Sequence, residues 1–522
     1  MERKDTARLI GVALLLGSLW LWSWLGSGVG VAVASFSQPA AAATAPGGRL
    51  VVAVPAEPPQ LDPTTNAAAA IDQIVNHNIY EGLVMIDPEG NIVPGLAESW
   101  EISEDGLVYT FHLRPGVKFH DGHELTAADV IYTFERNKDP ATGVPHPEYY
   151  EPIESIEALD DYTVQFTLSR VTPHFLAILG LGDSIILPAG AGEELKSRPN
   201  GTGPFEFVEW VPGDHITLAR FEDYWQEGIP YLDEVVFKFI PDPSAALAAL
   251  LAGDVDIVVR MDAAVALTVR ETPGFKVISG PQNLVQIMAI NNAREPFDDV
   301  RVRRAIAYAI NKEEVIQGSM FGWGTPIGSH LTPVSPYYID LNWMYPYDPE
   351  RAKELLAEAG YPDGFEVTLK LPQPYALHIK TGEIIADQLS RVGIRLKLEI
   401  IEWGRWLEEV YENADYDLTI IGHIGKMDPA ADLSGYGPER PDYYFRRGWS
   451  NPYLDKLMEL GATTADFEER LKIYAIVQYI IAEEAVNYFI QDPHQLVGMA
   501  ENVHGFEIFP IYVADVTRVW KE

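Results

Sequence analysis

Leu96 to Glu135 reads LAESWEISEDGLVYTFHLRPGVKFHDGHELTAADVIYTFE. Within it Leu107, Tyr109, Phe111 and Leu113 alternate with Val108, Thr110 and His112. That alternation predicts a strand with one apolar face and one mostly polar face. Arg114-Pro115-Gly116 ends the strand, and Val117 and Phe119 begin a second short apolar piece. Asp121-Gly122 supplies turn chemistry, and Thr126 with Asp129 places a hydroxyl and a carboxylate where a helix start needs capping. Strand, turn, strand, turn, capped helix is the plan of an α/β protein.

The same punctuation continues along the chain. Val235 to Ile240 reads as a strand, Asp242-Pro243 as an N-cap followed by proline at the first helical position, and Gly253 as the stop before a strand at Val255 to Val259. Val302, Ala305, Ile306, Ala309 and Ile310 recur at helical spacing. Asp348-Pro349 opens another helix that Gly360 and Pro362 close. Leu396, Leu398 and Ile400 alternate as a strand, and Asp466 and Glu469 cap a long helix whose stripe includes Leu471, Tyr474, Val477 and Ile481. Helices alternating with strands favour α/β domains. At 522 residues the chain has room for roughly two to four domains, each with its own core.

A formal net charge of −38 argues against nucleic acid and against anionic lipid as partners, since both would be repelled. The chain contains no cysteine, which excludes disulfides, thiolate nucleophiles, cysteine metal sites and a lipid-modified cysteine. Arg3, Lys4 and Arg8 precede an apolar run from Leu9 to Leu25, and no charged residue follows until Arg49. Residues 1–48 therefore read as an export segment outside the fold, with Ala41-Ala42-Ala43 and Ala43-Thr44-Ala45 as cleavage sites. An uncleaved membrane anchor is the alternative.

Several blocks, in order, carry a resemblance. They are the 96–135 stretch; Ala56-Glu57-Pro58-Pro59-Gln60-Leu61-Asp62-Pro63; Ile79-Tyr80-Glu81-Gly82-Leu83; Asn200-Gly201-Thr202-Gly203-Pro204-Phe205; Asp223-Tyr224-Trp225; and Leu251-Ala252-Gly253-Asp254-Val255-Asp256. Pro296-Phe297-Asp298-Asp299-Val300-Arg301, Tyr347-Asp348-Pro349 and Ala359-Gly360-Tyr361-Pro362 follow. From about Leu50 to the C-terminus this text resembles the family 5 solute-binding proteins of ABC transporters, which include dipeptide- and oligopeptide-binding proteins. The resemblance implies a two-lobed periplasmic-binding-protein type II fold with an extra subdomain in lobe I. Lobe I is expected from 49–82, 204–291 and 494–522, the extra subdomain from 83–203, and lobe II from 292–493, with hinge crossings near Asn291 and Pro493.

The implied activity is capture of a small organic solute by hinge closure and delivery to an ABC permease. The protein is then exported, periplasmic or at the cell surface, monomeric, and neither an enzyme nor a holder of cofactor or metal. Candidate ligand-binding residues are Glu57, Tyr375, Trp403, Gly422, His423, Lys426 and Asp428. Peptide-binding relatives carry a buried aspartate for the peptide ammonium, after a Gly-Trp and just ahead of an acidic-Pro pair. Here Gly422-His423-Ile424-Gly425-Lys426-Met427-Asp428-Pro429 is one residue shorter, with Gly425 or Lys426 where that aspartate falls. A buried ammonium without a carboxylate costs several kcal/mol, of the order expected for an uncompensated buried charge. The preferred solute is therefore a peptide or modified peptide lacking a free cationic end, followed by an oligosaccharide or a metal chelate. Asp428 is a stand-in for that ammonium partner, although the more usual role of its position is to shape the turn. Trp403, in Glu402-Trp403-Gly404-Arg405-Trp406-Leu407, matches a cleft position of oligopeptide-binding relatives, and Tyr375 falls in a loop that lines the cleft in them.

Other patterns have plainer readings. His120 and His123 have the residue type of metal ligands, but the family text has a His-Asp-Gly turn there. Gly201-Thr202-Gly203 lacks the lysine and spacing of a P-loop. Neither a Gly-x-Ser-x-Gly elbow nor His-Glu-x-x-His occurs. The rival from another class is a membrane-anchored sensor or interaction protein that keeps the fold without transport.

Overall fold

The structure is a computed structural model and describes residues 47–522; the expected export segment lies outside them except for Gly47 and Gly48. Among the described residues no helix is long and apolar enough to cross a membrane. Two large sheets organise the chain. The first has seven strands in the order Phe275–Gly280, Gln495–Ala500, Ile257–Val258, Arg49–Val54, Glu234–Phe239, His215–Arg220 and Phe205–Val211. The second has six, in the order Gly324–Pro326, Tyr488–Pro493, Leu284–Ile290, Leu418–Ile424, Phe365–Pro372 and Ile394–Ile401. A separate four-stranded antiparallel sheet, Ala97–Ile102, Val108–Leu113, Thr163–Leu168 and Ile153–Asp160, forms the extra subdomain.

Local chemistry accounts for these elements. Arg49–Val54 pairs in parallel with both Glu234–Phe239 and Ile257–Val258, and the crossover between the latter two is the helix Pro243–Ala252. Asp242 caps that helix by accepting from the Ala245 N–H, and Gly253 ends it at φ +79°, a conformation glycine adopts without a Cβ penalty. In the extra subdomain Thr126 and Asp129 form a reciprocal capping box at the start of Ala127–Lys138. Tyr109, Phe111 and Leu113 point inward, where Phe111, Phe134 and Phe166 pack edge to face. The long helix Phe467–Glu483 is capped by Asp466 and buries Tyr474, Val477 and Ile481.

The first passage between the large sheets differs from expectation. Leu284–Ile290 belongs to the six-stranded sheet, where it pairs with Leu418–Ile424 and Tyr488–Pro493. The chain therefore leaves the first sheet at 281–283 and not near Asn291. Pro281 has no N–H to continue a ladder, and Asn283 takes a left-handed φ of +55°. Asn291 lies inside the second lobe, where its side chain donates to the carbonyls of Ala414 and Tyr416. The return passage is a single residue, His494, between strands ending at Pro493 and starting at Gln495.

Candidate functional site

Where the two passages meet, the lobes flank a half-open cavity of about 400 Å³, at the small end of ordinary small-molecule sites. Lobe I supplies the turn after Ile257–Val258: Arg260, at φ +53°, and then Asp262, which caps the helix Ala263–Glu271. Lobe II supplies the end of the helix Lys312–Met320 and the first turn of the helix Ala376–Ser390. The passages themselves add Gln282, His494 and Gln495.

The electrostatics of this cavity are unusual for so acidic a chain. The Arg260 guanidinium lies 3.5 Å from the centroid of the Tyr512 ring, and its Nε is buried without a hydrogen-bond partner. Among the described residues no carboxylate lies in ion-pair contact with it; the neighbouring Asp262 accepts the N–H groups of Ala264 and Val265 through Oδ1. Burial pushes the Arg260 pKa down, yet a guanidinium stays charged in proteins. Lys380 reaches the rim and pairs with Glu383 at 3.0 Å, both exposed, an attachment easily exchanged. His494 holds Thr325 Oγ1 at 2.9 Å through Nε2, and its Nδ1 is buried and unpartnered, as is Gln495 Oε1. Burial lowers the His494 pKa, so the ring is neutral near pH 7.

None of the seven residues expected at the site lines this cavity; the structure distributes them over other regions. Glu57 follows the strand Arg49–Val54 and accepts from Trp210 Nε1 at 2.9 Å and from the Gly213 N–H at 3.1 Å. Tyr375 immediately precedes the helix whose first turn walls the cavity. Its ring meets Trp403 edge to face at 5.3 Å, and Trp403 stacks on Trp406 at 5.1 Å. Gly422 and His423 lie on Leu418–Ile424, Gly422 close against Leu284. His423 Nε2 is 2.6 Å from Tyr444 Oη, with its ring among His330 and Phe445. Burial drives the His423 pKa down to about 4.

Lys426 is exposed, and its backbone N–H donates to Asp432. Asp428 is buried, caps the short helix Pro429–Asp432 and meets Arg470 Nη2 at 2.7 Å, a charge contact more than an aligned hydrogen bond. With Arg470 beside it, Asp428 is not open to a solute ammonium. From the extra subdomain His174 Nδ1 approaches Asp428 at 3.7 Å, and Met427 packs among Ile86, Ala177 and Leu181. This corner is therefore a contact between the lobes. Of the two histidines with metal-ligand character, His120 Nε2 lies 2.9 Å from the Gly203 carbonyl and His123 Nε2 lies 3.1 Å from Asp129.

Sequence reasoning missed Arg260, His494 and Gln495. The available signal was a lone cation between Val259 and Met261, at the end of an apolar strand.

The family described as bacterial extracellular solute-binding proteins, family 5, matches residues 91–441. The chain belongs to this family. Heme-binding protein A of Haemophilus influenzae is 34% identical over 436 residues, 76% of this chain and 78% of that protein. The glutathione-binding protein GsiB of Escherichia coli K12 is 30% identical over 473 residues, 88% of this chain and 92% of that protein. Among solved structures, the binding protein AgaA of A. tumefaciens R10 in complex with agropinic acid superposes with a TM-score of 0.69 at 32% identity. It covers 91% of this chain and 99% of its own. The family 5 protein thus has the two-lobed type II fold and is a solute-binding component of an ABC importer.

Proposed function

We propose that this family 5 protein captures a short peptide-like solute outside the cytoplasm, closes its lobes over it as a monomer, and passes it unchanged to a membrane permease. The observation that supports this most is the cavity at the lobe passages, walled by both lobes and holding buried polar atoms without protein partners. In a cleft closed to water such atoms favour a guest that satisfies them. Its volume suits a short solute. The ion-paired Asp428 favours a solute without a cationic end. The relatives named for heme, glutathione and agropinic acid support an organic guest. Residues 1–48 would direct export and be removed.

Native mass spectrometry after incubation with a mixture of di- to tetrapeptides tests the reading. The expected result is a saturable mass increase from a few acidic or N-blocked members. Retention restricted to peptides with free cationic N-termini, or of no small molecule at all, would contradict it.

A further inference from the structure

We propose that Arg260, His494 and Gln495 form a subsite for a carboxylate with an adjacent amide, and that it fixes one end of the solute; this rests on the cavity being the solute site. The three side chains come from lobe I and from the return passage, and all line the same cavity. Each carries a buried polar atom without a partner in the protein: Arg260 Nε, His494 Nδ1 and Gln495 Oε1. Groups of this kind are a minority in folded proteins, and a bound molecule or water is one way in which they are satisfied; here three of them fall on one cavity.

Their chemistry is complementary and directional. The guanidinium offers forked N–H donors that match a carboxylate. In the tautomer in which His494 Nε2 accepts the Thr325 hydroxyl proton, Nδ1–H is a second donor. Gln495 Oε1 is an acceptor and fits an amide N–H beside the carboxylate.

Charge points the same way. The chain carries 76 acidic residues against 38 lysines and arginines, yet Arg260 lies in ion-pair contact with none of the described carboxylates. Asp262, next but one in sequence, is held by its helix N-terminus. Asp492 accepts from the Leu284 N–H through one oxygen and leaves the other unpartnered, Glu57 accepts from Trp210 and Gly213, and Asp256 is held by the Val51 N–H and by Lys521. Tyr512 covers the guanidinium face, leaving its edge for in-plane contacts. An anionic guest supplies the missing charge.

The test uses N-acetylglycine, which carries only the carboxylate and adjacent amide, and N-acetylglycine methylamide, which lacks the carboxylate. Both are titrated by NMR into the wild type, R260Q and R260K, with thermal melts to establish that each variant is folded. The expected result is saturable binding of the acid to the wild type and at least tenfold weaker binding of the amide. R260Q should lose the acid at least tenfold, and R260K should recover part of it. Equal binding of acid and amide, acid binding unchanged in R260Q, or no binding to the wild type overturns the assignment. Peptides retained without fragment binding would leave capture standing and remove the Arg260 role. Fragment binding with no peptide retained would do the reverse.

Discussion

Two arginines at the lobe boundary meet burial in opposite ways. Arg470 and Asp428 have side chains only 1% and 3% exposed. Arg470 also donates to the Gly461 carbonyl and to Tyr337 Oη, and its guanidinium lies over the Tyr337 and Tyr474 rings. That corner is held by a counter-charge from the protein itself, although Arg470 Nη2 and His174 Nδ1 lack an aligned hydrogen-bond partner. Arg260 has an aromatic face and no acid. A carboxylate in the same position responds differently, because it can take up a proton. Asp492 is buried between the passages, accepts from the Leu284 N–H, leaves its second oxygen unpartnered, and has its pKa pushed up by burial to about 7. Charge at this boundary is paired, protonated or left without a counter-charge, and the last case is the one to which we assign the proposed solute.

The largest effect should come from breaking the paired case. Asp428→Asn leaves Arg470 buried without its counter-charge and is expected to cost about 3–5 kcal/mol, read by urea denaturation. A loss under about 1 kcal/mol would show the corner to be wetter than the structure has it.

Next comes the protonated case. A carboxyl whose folded pKa is raised binds a proton on folding, so its contribution is complete below about pH 4 and is lost as pH rises to about 7. Asp492→Asn should therefore raise the melting temperature at pH 8, change it little at pH 4.5, and flatten the pH profile between. Glu81 and Asp432, also raised to about 7 by burial, keep part of the slope. An unchanged profile would contradict the burial of Asp492.

The open case should be mild for stability. Arg260→Met removes a half-buried charge that has no protein counter-charge, while losing the contact with Tyr512. The two offset, so the wild-type and variant stabilities should agree within about 1 kcal/mol. A loss as large as that of Asp428→Asn would erase the distinction between the two arginines. Smallest of all, Tyr375→Ala is expected to change stability by about 0.5 kcal/mol or less, since the ring is 41% exposed. A tenfold loss of solute affinity there would extend the site onto the Tyr375 and Trp403 stack.

Much of the fold was legible because its signals are local. The capping box at Thr126 and Asp129, the Asp242-Pro243 start with its Gly253 stop, and the Asp466 cap all act within one turn, and all are present. The passage at 281–283 was not legible, since Leu284–Ile290 is nearly continuous in apolar residues and suits an inner strand of either sheet. The site was less legible still. Asp428 and Trp403 have the residue types of ligand contacts, yet their partners, Arg470 and Trp406, are set by tertiary packing. Arg260 is distinguished by the carboxylates that are not beside it, which no spacing in the sequence records.

The absence of cysteine makes the decisive measurement direct. Cysteines introduced at the exposed positions Glu222 and Glu350 would report the separation of the lobes by single-molecule energy transfer. Protein stripped of solute by unfolding and refolding should show a lower-transfer population. A retained peptide should shift it to higher transfer in the wild type at concentrations at least tenfold below those needed in Arg260→Gln. A single unchanging population, with solute bound, would contradict capture by closure.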